Sequence, residues 1–190
     1  MKTKKIRDAN FDVLKAYAII FVVWGHFASG NKPLCEFIYS FHMPLFFMIS
    51  GYFFHPKKDL PLNVVLSRNF KSLMLPYIFL CGVYVLYNIC HCLLLSDYGW
   101  MKSSIIKYID GDTGWYLTGL FFLRITFNYI PRKHIIPLLV IYLFLMPLIN
   151  PTVLFNRYVQ WVPRTLLNLP FFILGILIQG RNFKYSPLGG

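Results

Sequence analysis

Six apolar blocks follow one another down this 190-residue chain, with short polar links between them. Each block is close to the roughly 17–25 residues that a helix needs to cross a bilayer. They lie at about Phe11–Ser29, Phe37–Phe54, Leu73–Leu95, Asp112–Ile130, His134–Asn150 and Val162–Gln179. The chain is 57% hydrophobic and 14% charged, whereas a soluble domain has about 45–50% apolar and about 25% charged residues. The expected fold class is all-α, a polytopic transmembrane helix bundle of about six helices. It is read as one membrane domain over residues 1–190, with no separate soluble domain. Pro76 falls in the first turn of the third helix, where proline is tolerated. Pro137 and Pro147 are expected to bend the fifth.

The formal charge of +12 raises the question of nucleic acid. The basic residues, however, sit in the links, where they set topology and meet anionic lipid. No nucleic-acid partner is expected; membrane lipid is. With the N-terminus in the cytoplasm, the inner segments hold Lys2, Lys4, Lys5, Arg7, Lys57, Lys58, Arg68, Lys71, Arg132, Lys133, Arg181 and Lys184. The outer segments hold Lys32, Lys102, Lys107, Arg157 and Arg164. That asymmetry predicts both termini in the cytoplasm and a multi-pass protein of the plasma (inner) membrane. Tyr98, Trp100, Trp115, Tyr116 and Trp161 fall near the outer boundary, as interfacial aromatics do. Ala28-Ser29-Gly30 after an apolar run has the look of a signal-peptide end. Asp12 and Lys15 interrupt that run and a second apolar segment follows at once, so a retained first helix is expected.

The cysteines, Cys35, Cys81, Cys90 and Cys92, form neither a disulfide framework nor a zinc spacing. Cys90-His91-Cys92 reads as packing residues on a helix rather than as part of a metal site. No metal is expected.

Ionisable groups inside apolar helices are expensive and point to function. Asp12, Lys15 and His26 share one face of the first helix. Asp12 and Lys15 are one turn apart, and His26 lies about three turns, roughly 16 Å, beyond Lys15. His42 stands near the start of the second apolar segment, so in an antiparallel pair the two histidines are expected to meet near one face of the bilayer. A histidine titrates near neutrality and can take a proton from a hydroxyl. The plainer alternatives are a Lys15 that snorkels to the surface and a His26 that caps a helix. Arg124 is the deep charge of the fourth helix; it either lines a path or pairs inside the bundle. Ser50 is a weak candidate nucleophile, because no base is evidently aimed at it and Ser-Gly-Tyr more often packs against a neighbouring helix.

The segment FDVLKAYAIIFVVWGHF resembles the opening of the acyltransferase 3 family, with Asp12, Lys15 and His26 on the family's acidic, basic and histidine positions. SFHMPLFFMISGYFF is similar to the second family segment, with His42, Pro44, Phe47, Ser50, Gly51 and Tyr52 on matching positions. Arg68 with Lys71 ahead of Pro76-Tyr77 looks like the family's basic stretch, though its spacing differs. Gly114-Trp115-Tyr116-Leu117 looks like the tryptophan motif of a later helix. The resemblance implies an integral membrane O-acyltransferase. The acyl donor would be acyl-CoA, usually acetyl-CoA, and the acceptor a sugar hydroxyl of a surface glycan or its lipid-linked precursor. It implies catalytic roles for His26, His42 and Asp12, and donor binding by Lys15, Arg68, Lys71 and Arg124. The family domain continues beyond six helices, so the chain is expected to be truncated at its C-terminus. The alternatives are a transporter- or flippase-like subunit, which also carries intramembrane charge, and an inactive truncated family member.

Overall fold

The computed structural model describes residues 9–27, 30–95, 114–148 and 161–179. These residues are mainly helical, with no strand among them. The helices are α1 (Ala9–Phe27), α2 (Lys32–Tyr52), α3 (Leu62–Asn69), α4 (Leu75–Leu95), α5 (Trp115–Tyr129), α6 (Ile135–Leu145) and α7 (Trp161–Ile178). A π-helical turn, Phe70–Met74, joins α3 to α4. Short 3₁₀ turns at Arg132–His134 and Met146–Leu148 flank α6. The expected order of helices is therefore present, because α3, the π turn and α4 form one run. The expected outer segments holding Tyr98, Trp100, Lys102, Lys107 and Arg157, and the basic ends holding Lys2 to Arg7, Arg181 and Lys184, lie outside the described residues.

Among the described residues, three helical runs are long and apolar enough to cross a membrane: Lys32–Tyr52, Leu62–Leu94 and Trp161–Ile178. A fourth span is reached if α5 and the segment Arg132–Leu148 count as one, although they turn by 114° at Pro131. The other expected helices are present but fall below that length or hydropathy, for two reasons. The 19 residues of α1 measure about 28 Å, but Asp12, Lys15 and His26 dilute its hydropathy. With 15 and 11 residues, α5 and α6 are each shorter than the roughly 30 Å apolar core of a bilayer.

Two helix starts differ from expectation. α2 begins at Lys32 rather than Phe37, because the Asn31 side chain accepts a hydrogen bond from the Leu34 N–H at 3.3 Å and Pro33 sits in the first turn. This is ordinary helix capping. The segment His55–Ser72, expected as a loop, is helical from Leu62 onward, with Pro61 as its N-cap. The resulting 33-residue run is about 50 Å long, well beyond the thickness of the apolar core. Its polar first third, with Asn63, Ser67, Arg68, Asn69, Lys71 and Ser72, suits the headgroup layer.

The chain divides into two compact units, Met1–Phe54 with Pro170–Gly190, and His55–Leu169. In the first, α1 packs on α2, with Phe21 edge-on to Phe41 at 5.0 Å between ring centroids. α2 also meets the second half of α7 through two glycines. Gly51 lies against the Phe172 carbonyl, and Gly175 against the Met48 carbonyl. Phe47, Phe172 and Ile173 are fully buried around this crossing. The Gln179 side-chain amide then donates to the carbonyls of Tyr52 and Phe54, each at 2.9 Å, and so closes the end of α2.

In the second unit, α3 and the π turn pack along α5. The Tyr129 hydroxyl donates to the Leu60 carbonyl at one end, and the Tyr77 ring covers Gly114 at the other. Gly119 receives the Thr165 side chain, Trp161 stacks on Phe122 at 4.8 Å, and the Tyr142 hydroxyl donates to the Leu166 carbonyl. One face of α4 is exposed and apolar, with Phe79, Leu80, Leu86, Leu93 and Leu94 outward, as a lipid-facing helix requires.

Candidate active site

α1 and α2 position the first group of site residues. Asp12 and Lys15 form the expected one-turn ion pair, 3.9 Å between Oδ1 and Nζ. The same ammonium lies 4.1 Å from the centroid of the Phe53 ring. A cation over an aromatic face is attracted by the ring quadrupole. Lys15 is thus held between a carboxylate and a ring where α1 begins and α2 ends. The sequence reading missed Phe53. An aromatic just past Gly51-Tyr52, on a helix antiparallel to the one bearing Lys15, was the available signal.

His42 is 3% exposed. Its Nδ1 lies 2.7 Å from the Ile38 carbonyl oxygen. A carbonyl only accepts, so Nδ1 carries the proton, and when the ring is neutral its lone pair lies on Nε2. That tautomer is the one a base or hydrogen-bond acceptor at Nε2 needs.

The two histidines do not sit at one level, as was expected. α2 starts five residues early, which puts His42 halfway along the helix rather than near its start. The Phe21–Phe41 contact places His42 level with the turn around Phe21, about 8 Å along the axis from His26. His26 is the penultimate residue of α1; its side chain lies outside the described residues.

The donor-binding candidates other than Lys15 belong to the second unit. Arg68 and Lys71 are exposed, the first on the last turn of α3 and the second on the π turn. A π turn inserts an extra residue per turn and is frequent at functional sites. Arg124 is half-buried on α5. Leu60 beside Tyr129 and Tyr77 beside Gly114 fix an antiparallel register between the two runs. In that register Arg124 is level with the turn of α3 that carries Arg68. The fold therefore brings Arg68, Lys71 and Arg124 to one stretch of a helix pair.

Ser50 lies beside Gly51 at the crossing with α7, half-buried, which fits a packing position. No group of three or more His, Cys, Asp or Glu suited to a metal ion occurs among the described residues.

The acyltransferase domain model, acyltransferase 3, matches residues 8–189. The chain belongs to that family. The acyltransferase 3 match and the long apolar helices together mark a membrane protein. Among curated relatives, the chain is similar to nodulation protein NolL of Sinorhizobium fredii (strain NBRC 101917 / NGR234), 34% identical over 95 residues. The aligned stretch covers 40% of this chain and 24% of NolL, so the chain spans a minor part of that relative's length. No solved structure matches this acyltransferase 3 chain.

Proposed function

We propose that this chain serves a membrane O-acyltransferase that moves an acyl group, acetyl in the simplest case, from acyl-CoA to a sugar hydroxyl of a surface glycan or its lipid-linked precursor, in the plasma (inner) membrane. The observation that carries this reading is the Asp12–Lys15 pair on a helix with His26 in its last turn, in a chain of the acyltransferase 3 family. In the reaction, a histidine takes the hydroxyl proton as the oxygen attacks the thioester carbonyl. The carbon–sulfur bond then breaks, and the CoA sulfur leaves with the proton that the imidazolium returns. His26 is assigned as base. Asp12 fixes Lys15 and balances its charge. His42, with Nδ1 donating to the Ile38 carbonyl, is assigned to positioning the acceptor. Lys15, Arg68, Lys71 and Arg124 are assigned to the donor, as charge partners for its phosphates. A transporter would favour matched broken helices. The bent α5–α6 pair has no counterpart among the other described helices.

The direct test is release of CoA from acetyl-CoA by purified protein, with and without lipid-linked oligosaccharides as acceptors. Acceptor-dependent release supports the reading, and none with any acceptor removes it. A narrower expectation concerns Arg68→Ala. It should weaken acetyl-CoA binding several-fold and leave acceptor dependence unchanged, with the loss shrinking as salt screens the contact. An unaltered acetyl-CoA affinity would reduce Arg68 to a topological signal.

Orientation gives a second check. In a cysteine-free background, a single cysteine at Lys58 should be shielded from an impermeant thiol reagent added outside the cell. One at Lys32, the first residue of α2, should react. The reverse pattern would place the donor residues on the wrong side of the membrane.

A further inference from the structure

Lys57 and Asn128 are 71 residues apart in sequence and clasp each other in the second unit. The Lys57 backbone N–H donates to Asn128 Oδ1 at 2.8 Å, and Asn128 Nδ2 donates to the Lys57 carbonyl at 3.3 Å. Asn128 is 3% exposed, so the clasp is a built feature rather than a surface encounter. The Tyr129 hydroxyl on the Leu60 carbonyl and a turn from the Leu60 N–H to the Lys57 carbonyl hold the rest of the link. The consequence is electrostatic. Lys57 and Lys58 are fixed at the end of α5, where the chain continues within four residues into Arg132 and Lys133. All four are exposed, with Asp59 as the acidic residue of the link. About one turn further along the same helix pair, roughly 6 Å from Asn128, stand Arg124 and, level with it, Arg68; Lys71 is a turn beyond.

We infer that these cations form one extended anion-binding run, in which the Arg132–Lys133 tip and the clasped Lys57–Lys58 link hold the 3′-phosphate end of the CoA nucleotide. Arg68, Lys71 and Arg124 hold its diphosphate. The inference deepens the donor reading above and rests on it. A lipid surface attracts each basic residue separately, wherever it meets the headgroup layer. Cations spread over several helical turns match a ligand with two separated phosphate groups. Arg supplies bidentate contacts to phosphate oxygens and Lys supplies point charge. The clasp across 71 residues, which neither hydropathy nor charge counting requires, ties Lys57 to the end of α5.

The test compares CoA with dephospho-CoA, which lacks the 3′-phosphate, on protein in nanodiscs of neutral lipid. Wild-type protein should prefer CoA by about tenfold. Arg132→Ala/Lys133→Ala, a change confined to exposed residues, should abolish that preference by weakening CoA alone. Arg68→Ala should weaken both ligands equally. Asn128→Leu, which breaks the clasp, should reduce the preference in part, with its melting temperature measured alongside. A preserved preference in the double variant overturns the assignment. So does a double variant whose only defect is lost thermal stabilisation when phosphatidylglycerol replaces the neutral lipid of the nanodisc, since the tip then serves lipid headgroups. A wild-type protein that binds neither nucleotide overturns the donor reading itself, and this inference with it.

Discussion

His26→Ala is expected to lower acyl transfer by about 10²–10⁴-fold, the usual contribution of a positioned general base. Acetyl-CoA affinity and melting temperature should stay close to wild type. A sugar hydroxyl is a poor nucleophile at neutral pH, and its attack on a thioester needs its proton removed as the bond forms. His26 sits one residue from the end of α1, the end that the proposed orientation assigns to the acceptor side. His42→Ala should behave differently. It removes a buried ring from the middle of α2, together with the Nδ1–Ile38 hydrogen bond. Both melting temperature and transfer should fall, the stability loss being about 1–3 kcal/mol. His42→Gln, which fills more of the space, should recover part of the stability. Turnover, acetyl-CoA binding and melting temperature measured on the same variants separate the roles. A His26→Ala protein with near-normal turnover would remove His26 from the chemistry, and a His42→Ala protein with unchanged melting temperature would contradict its buried placement.

The helical class and the order of helices were legible because 3.6-residue periodicity matters little when whole blocks are apolar; block length alone identifies the helix. Boundaries were legible only where polarity and helicity change together. They part company at α2, where Lys32, Pro33 and Glu36 are polar yet helical. Asn31 followed by Pro33 was the cap signal that hydropathy overrode. They part again at Leu62–Ser72, where a polar helix in the headgroup layer reads as a loop. The π turn has no sequence signature of its own. It arises within Phe70–Met74, between a polar stretch and an apolar one.

Of the site, the Asp12–Lys15 contact followed from helix geometry alone and is present. The depth of His42 was misjudged through the boundary error, because moving a helix start by five residues moves every side chain on it by about 8 Å. Gln179 and Asn128 were invisible because each acts through a contact far away in sequence, whereas Phe53 was signalled by its place just past Gly51-Tyr52 and overlooked. Gln179 reaches the end of α2 across more than 120 residues, and Asn128 reaches Lys57 across 71. Positions of this kind look like ordinary helix-end polar residues until the partner is known.

Gly51→Val and Gly175→Val should each cost more stability than any other change in the first unit. At Gly51 a Cβ would run into the backbone carbonyl of Phe172; at Gly175 it would run into that of Met48. The obstacle at each site is main chain, which cannot rotate away as a side-chain tip does, so α2 and α7 must separate. Overpacking of this kind costs about 1–3 kcal/mol or more, enough to lower the melting temperature by several degrees in a protein of this size. Alanine at either position already meets the carbonyl, and its advantage of about 1 kcal/mol over glycine in a helix does not offset the clash. Gly82 supplies the internal control. It is exposed on α4 with nothing within 4 Å of a Cβ, so Gly82→Ala should be neutral or stabilising in the same detergent. The contrast also decides how Ser50-Gly51-Tyr52 is read. If the motif marks a helix crossing, Ser50→Ala keeps turnover and Gly51→Ala loses it together with melting temperature. If Ser50 were a covalent nucleophile, Ser50→Ala would lose turnover at unchanged melting temperature. The close approach of Gly51 to Phe172 and of Gly175 to Met48 favours the first outcome, because a glycine on each helix is what lets two main chains touch.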